Sequence, residues 1–157
     1  MALAHLTLPT RDVERTAVFF ERTLGYLRAG VPGNSPIEAL WLDVGRGQTL
    51  HVFHVEGFEV SPFEHEFGRH IAVFHPLADF AALKARLTAQ GAEIIAPIRP
   101  TPFERFFFRE PINGYVFEVI DQVRSEKPEV RSGLRQRRPL INLQTWRRRA
   151  ELPASGF

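Results

Sequence analysis

At 157 residues, 44% hydrophobic and 24% charged, the chain has the composition of an ordinary globular domain, which excludes wholesale disorder and fibrous architectures. It has no cysteine, so disulfides, thiolate nucleophiles, zinc fingers and iron–sulfur clusters are out, and any metal must be held by His, Asp or Glu. The formal charge of +2 is uneven: residues 122–157 hold nine Lys and Arg against three acids, which leaves residues 1–121 net acidic.

Met1-Ala2-Leu3-Ala4-His5 runs directly into strand-like alternation, without the charged and apolar regions of a signal peptide. No apolar run approaches a bilayer span either, so a cytoplasmic protein with no membrane partner is expected. Leu3 to Leu8 alternates with period two, placing His5 and Thr7 on one strand face and Leu6 and Leu8 on the other, and Pro9 is expected to end the strand. Asp12 is a good N-cap; Val13, Ala17, Phe20 and Leu24 then recur at helical spacing, and Gly25 closes the helix. Strands are predicted over 26–29, 39–44 and 48–55, with Gly45-Arg46-Gly47 as the hairpin turn between the last two. Residues 57–67 read as a linker.

The pattern then starts again. Residues 69–74 predict a strand halted by Pro76, and 77–89 a helix burying Leu77, Phe80, Leu83 and Leu87, closed by Gly91. Strands follow near 92–96, 104–109 and 115–121, with a turn over Glu110-Pro111-Ile112-Asn113-Gly114 between the last two. The domain therefore spans 1–122 as two βαβββ modules, 1–56 and 68–122, followed by a basic extension over 123–157. The expected fold class is α+β: two tandem modules forming a curved mixed sheet around a metal-centred cavity.

The repeat brings particular residues into register. His5 lies 20 positions before Gly25 and His70 lies 21 before Gly91; His5 to His51 is 46 positions and His70 to Glu118 is 48. His5, His70 and Glu118 thus form a two-histidine, one-carboxylate set, which suits Fe, Mn, Ni or Zn and leaves positions open for substrate. Glu118 lies in the apolar strand Tyr115–Ile120, where an ionised carboxylate is costly without a cation or strong donors. His51, the internal mate of Glu118, is either a fourth ligand or a general base. His54 falls on the opposite strand face, and His65 and His75 read as solvated loop residues. Phe106-Phe107-Phe108, with Trp41, Phe53 and Phe74, suggests an apolar pocket for an aromatic or acyl substrate. Pro97–Phe103 would rim it, with Arg99 and Arg105 either solvated or facing an anionic group.

The duplicated βαβββ pattern and the opening His5-Leu6-Thr7-Leu8 resemble the vicinal oxygen chelate superfamily. So do the stretch from Asp12 through Phe19-Phe20-Glu21 to Leu24-Gly25-Tyr26, and the run Phe107 to Val119. That superfamily includes glyoxalase I, fosfomycin-resistance enzymes, extradiol dioxygenases and bleomycin-binding proteins. Over residues 3–122 the resemblance implies one divalent metal held by His5, His70 and Glu118, with His51 at the remaining ligand position. It also implies chelation of a small-molecule substrate through vicinal oxygens, lyase, isomerase or ring-cleaving dioxygenase chemistry, and a homodimer. Glu118 and His51 are the expected catalytic groups, and Thr7, Phe108 and Arg99 the expected substrate contacts. Bacterial glyoxalase I usually has glutamate where this chain has His51, and the fosfomycin-resistance enzymes have a tyrosine at the position assigned to Phe108. The alternative reading is a non-catalytic drug- or metabolite-binding protein of the bleomycin-resistance type. The extension reads as an arm anchored by Trp146 on its own or a partner subunit; it lacks a recognisable nucleic-acid-binding module.

Overall fold

In the computed structural model, which describes residues 3–31 and 33–121, two copies of one βαβββ unit follow each other. The first contains β1 (His5–Thr10), α1 (Val13–Leu24), β2 (Leu27–Ala29), β3 (Ala39–Gly45) and β4 (Gln48–His54). The second contains β5 (Ile71–His75), a 3-10 turn (Leu77–Asp79) leading into α2 (Phe80–Ala89), then β6 (Glu93–Ile95), β7 (Arg105–Arg109) and β8 (Val116–Asp121). Each unit builds a four-stranded mixed sheet, ordered β1-β4-β3-β2 and β5-β8-β7-β6. β1–β4 and β5–β8 are parallel and the other pairs antiparallel. The expected arm around Trp146 lies outside the described residues. Among the described residues no helix is long and apolar enough to cross a membrane.

Local chemistry sets the ends of these elements. Asp12, in extended backbone, accepts a hydrogen bond from the Arg15 N–H at 2.9 Å, and Gly25 ends α1 at φ 73°, in the left-handed region that glycine enters freely. Pro9 does not end β1, which runs on to Thr10: β1 is a sheet edge, where a missing N–H removes no ladder bond. Leu77 falls in the 3-10 turn and is 46% exposed, so the buried stripe of α2 is Phe80, Leu83 and Leu87 alone. His75 is the last residue of β5, half-buried, with Nε2 2.7 Å from Asp79 Oδ2, and is not a solvated loop residue.

Both sheets turn their apolar faces into one core. Leu8, Leu42, Leu50 and Val52 enter it from the first sheet, and Phe106, Phe108, Phe117 and Val119 from the second. α1 packs against both, with Phe20 edge-on to Phe117 at 5.3 Å and Phe19 at 6.2 Å from Phe108. A buried polar seam fastens the modules: Asn113 Oδ1 accepts from the Thr10 hydroxyl, Asn113 Nδ2 donates to Thr16 Oγ1, and the Tyr115 hydroxyl donates to Pro9 O. Asn113 is itself held by Glu110, whose carboxylate accepts N–H bonds from Ile112, Asn113, Gly114 and Tyr115 while burial pushes its pKa up. Because the apolar faces meet one another, the opposite faces of both sheets point away from the core. The candidate residues lie there.

Candidate functional site

On the first sheet, β4 lies between β1 and β3, with Thr7 and Trp41 both in register with His51 and His5 in register with Thr49. Side chains two apart share a face, so His5, Thr7, Trp41, Thr49, His51 and Phe53 form one surface. The His51 ring is sandwiched: His5 stacks on it at 4.3 Å and 8°, and Trp41 on its other side at 3.8 Å and 5°. Its Nε2 lies 2.9 Å from Thr49 Oγ1. His51 is buried, whereas His5 and Thr7 are exposed. Burial, reinforced by His5 alongside, lowers the His51 pKa below its ordinary 6.5, so the ring is neutral at pH 7. Nuclear magnetic resonance titration of the imidazole protons is expected to give a His51 midpoint below 6.5. Stability drawn from this shift is present above the unfolded-chain value and lost as pH falls through the lowered folded one; a midpoint at or above 6.5 contradicts the assignment. His54 is exposed on the other face.

On the second sheet, Glu118 in β8 is flanked by Ala72 of β5 and Phe107 of β7. It is 7% exposed and held from two sides. Arg105 Nη1 donates to Glu118 Oε1 at 2.6 Å, and His70 Nε2, just ahead of β5, lies 3.4 Å from Oε2. The His70 ring stands edge-on to Phe107 at 5.4 Å, and its Nδ1 is buried without a partner. Arg105 is buried and also donates through Nη2 to Glu66 Oε1 and to Arg99 O; its guanidinium lies 5.2 Å from the centre of the Phe107 ring. Glu66, from the segment joining the modules, also accepts the Ile98 and Arg99 N–H bonds, which ties that segment to the loop before β7.

Two sequence expectations change here. Phe108 is fully buried and stacked on Phe117 in the core, so it is not a substrate contact; the aromatic beside Glu118 is Phe107, because register pairs those two and strand alternation turns Phe108 away. Arg105 is neither solvated nor free for an anion, since two carboxylates hold it. Arg99 is exposed, as one of its two expected placements has it, with its backbone N–H bonded to Glu66 and its carbonyl to Arg105. Glu66 joins this cluster from 39 residues before Arg105, in a segment without periodicity that gives no signal of its place. Arg105 had a signal in its spacing: it lies two residues from Phe107, on the face where the apolar-strand carboxylate needs a strong donor.

Within one chain the four residues come as two pairs, His5 with His51 and His70 with Glu118, and no group of three His, Asp or Glu suited to a metal is gathered among the described residues. The second pair has the spacing of adjacent ligands: atoms bound to one cation at about 2.1 Å lie about 3 to 3.4 Å apart at ordinary angles, and His70 Nε2 and Glu118 Oε2 are 3.4 Å apart. Imidazole nitrogen and carboxylate oxygen are also the donors that first-row divalent metals prefer.

Duplicated βαβββ modules whose outward faces carry a histidine pair on one and a His–Glu pair on the other define a tandem-module α+β protein with ligand-type side chains on both sheets. Residues 2–119 match the Glyoxalase/Bleomycin resistance protein/Dioxygenase superfamily, and the chain belongs to it. No curated protein matches the sequence. Among solved structures, the fosfomycin resistance protein FosX from Listeria monocytogenes, complexed with Mn(II) and 1S,2S-dihydroxypropylphosphonic acid, is similar at TM-score 0.62 and 19% identity over 76% of this chain and 91% of that one. FosX from Mesorhizobium loti gives 0.59 and 22% over 76% and 90%. A glyoxalase family protein from Bacillus anthracis gives 0.61 and 20% over 77% and 94%. These likenesses establish a shared fold.

Proposed function

We propose that the protein is a divalent-metal-dependent enzyme that chelates a small-molecule substrate through vicinal oxygens, with His5, His70 and Glu118 as metal ligands. The observation that carries this reading is Glu118. Two carboxylates, Glu66 and Glu118, share the single guanidinium of Arg105, so the buried cluster is one positive charge short, and Glu118 Oε2 faces an imidazole nitrogen. Leaving such a charge uncompensated is costly, and a cation offsets it.

The ligand set is completed by a second copy of the chain. Within one chain the apolar faces are already used, and the outward faces carry exposed Leu3, Leu27 and Phe74 beside the candidate ligands. Among the described residues β1 and β5 lie at sheet edges. A homodimer that sets the first module of one copy against the second module of the other covers these apolar residues and brings His5 to His70 and Glu118.

A bound divalent cation supplies Lewis-acid polarisation of the substrate oxygens, and Mn(II) in the Listeria FosX supports manganese within the Fe, Mn, Ni or Zn set. His51, neutral at pH 7 and held rigidly between two rings, takes a proton from substrate or fills the fourth ligand position, its free ring nitrogen serving either role. Thr7, exposed on the same face, offers a hydroxyl to a substrate oxygen. Trp41 and Phe53, half-buried on one face, supply apolar walls, and exposed Arg99 meets an anionic substituent. Neither Phe107 nor Phe108 has the hydroxyl found in fosfomycin-resistance enzymes, which argues for an aromatic or acyl substrate over a phosphonate. The chemistry is of the lyase, isomerase or ring-cleaving dioxygenase kind.

The Arg105–Glu118 bond favours a second reading, in which Arg105 alone is the counter-cation of Glu118 and the protein binds a drug or metabolite without turnover. Elemental analysis of anaerobically purified protein separates the two. The enzyme reading expects about one Fe, Mn, Ni or Zn per chain; a metal-free protein that takes up none of the four on reconstitution overturns it. Iron would point to oxygenase chemistry, and nickel or zinc to isomerase or lyase chemistry.

A further inference from the structure

We infer that Arg105 is the positioning residue for metal capture: it occupies Glu118 Oε1 so that Oε2 alone is offered beside His70 Nε2, and Glu66 fixes Arg105 in turn. This rests on the metal reading above and assigns roles to two residues outside the ligand set. The geometry is specific. Arg105 Nη1 reaches Glu118 Oε1 at 2.6 Å while Oε2 stays 3.4 Å from His70 Nε2, so the carboxylate's two oxygens are already divided between a protein donor and the ligand position.

The guanidinium is itself held. Its Nη2 bonds Glu66 Oε1 and Arg99 O, its guanidinium carbon lies 5.2 Å from the centre of the Phe107 ring, and its side chain is 2% exposed. Glu66 is anchored by the Arg99 N–H at 3.0 Å and by the Ile98 N–H. A planar fork with fixed donor directions can bond two carboxylates at once, and a lysine ammonium on its flexible stem does not reproduce that. Partners that orient a metal-binding carboxylate are commonly worth about 10- to 100-fold in affinity.

A simple Arg105→Met change would confuse orientation with charge, because it also removes a cation next to the metal. Pairing it with Glu66→Gln removes one charge of each sign, so the cluster's net charge is unchanged while the hold on Glu118 is lost. The experiment measures Mn(II) affinity by calorimetry and the visible absorption of the Co(II)-loaded protein. It compares the full-length parent, E66Q/R105M and Arg105→Lys, each checked for folding by circular dichroism.

The expected result for E66Q/R105M is Mn(II) binding about 10- to 100-fold weaker than the parent, with a weaker and shifted Co(II) band as both oxygens of Glu118 become available. Arg105→Lys should fall between the two. Parent-like affinity together with a parent-like Co(II) band in E66Q/R105M overturns the positioning role; should that variant not fold, the same result in Arg105→Lys does so. A parent that binds neither Mn(II) nor Co(II) defeats the metal reading itself, whereas a parent that binds and variants that bind equally defeat only this inference.

Discussion

Replacing His70 and Glu118 together with alanine is expected to abolish stoichiometric metal binding while the protein stays folded. Both halves of that expectation follow from the Arg105 cluster. The substitution removes one imidazole nitrogen and one carboxylate oxygen 3.4 Å apart, the part of the proposed ligand set that one chain assembles by itself. Partners that merely orient ligands are worth about 10- to 100-fold, so deleting two donors outright should weaken binding by more than about 100-fold. Folding survives because Arg105 keeps Glu66: with Glu118 gone, the buried cluster becomes one guanidinium against one carboxylate, which is better balanced than before. The loss is then the Arg105–Glu118 hydrogen bond and some packing, about 1.5 to 3 kcal/mol for a charge-assisted bond, and a melting-temperature drop of several degrees. Parent and variant are loaded with metal, separated from excess by gel filtration and compared by elemental analysis. A variant that holds as much metal as the parent places the site elsewhere.

The local chemistry of the fold was legible because it is written in neighbouring residues. Asp12 and Gly25 bracket a helix through one cap and one left-handed residue, and the period-two run of β1 set His5 and Thr7 on the face opposite Leu8. Legibility failed where the deciding partner is distant in sequence. Pro9 reads as a strand breaker until the sheet order shows that β1 is an edge. Phe107 and Phe108 are indistinguishable as neighbours; only the register of β7 against β8 sets Phe107 beside Glu118 and sends Phe108 into the core. Arg105 reads as a surface arginine because its second carboxylate, Glu66, lies 39 residues earlier in a segment without periodicity.

The ligand set shows the same limit at a larger scale. Alternation in each half tells which residues share a face, and the duplication tells which positions correspond, but neither says which halves stand opposite one another. In this chain the two modules meet through α1 and their apolar faces, a choice enforced by the Thr10, Thr16 and Asn113 seam and the fan of N–H bonds on Glu110. That packing leaves the histidine pair and the His–Glu pair on the outward faces of separate sheets, which the proposed homodimer would bring together.

Mixing two variants that each bind no metal is therefore expected to restore binding. His5→Ala damages the first module and Glu118→Ala the second, and each homodimer has two broken sites. His5 is exposed, so its loss leaves the core untouched, and the Glu118 change leaves Arg105 paired to Glu66. When the variants are unfolded and refolded together, mixed dimers form. In a twofold assembly that pairs the first module of one copy with the second of the other, each mixed dimer carries one site with both defects and one with none. Random reassortment makes about half of the dimers mixed, so about a quarter of all sites, measured as metal per chain, should return. A site closed within one chain gives a different result, because every chain in the mixture then carries a defect. Metal content that stays at the level of the separate variants, in a mixture shown by mass to contain mixed dimers, would remove the second copy from the site.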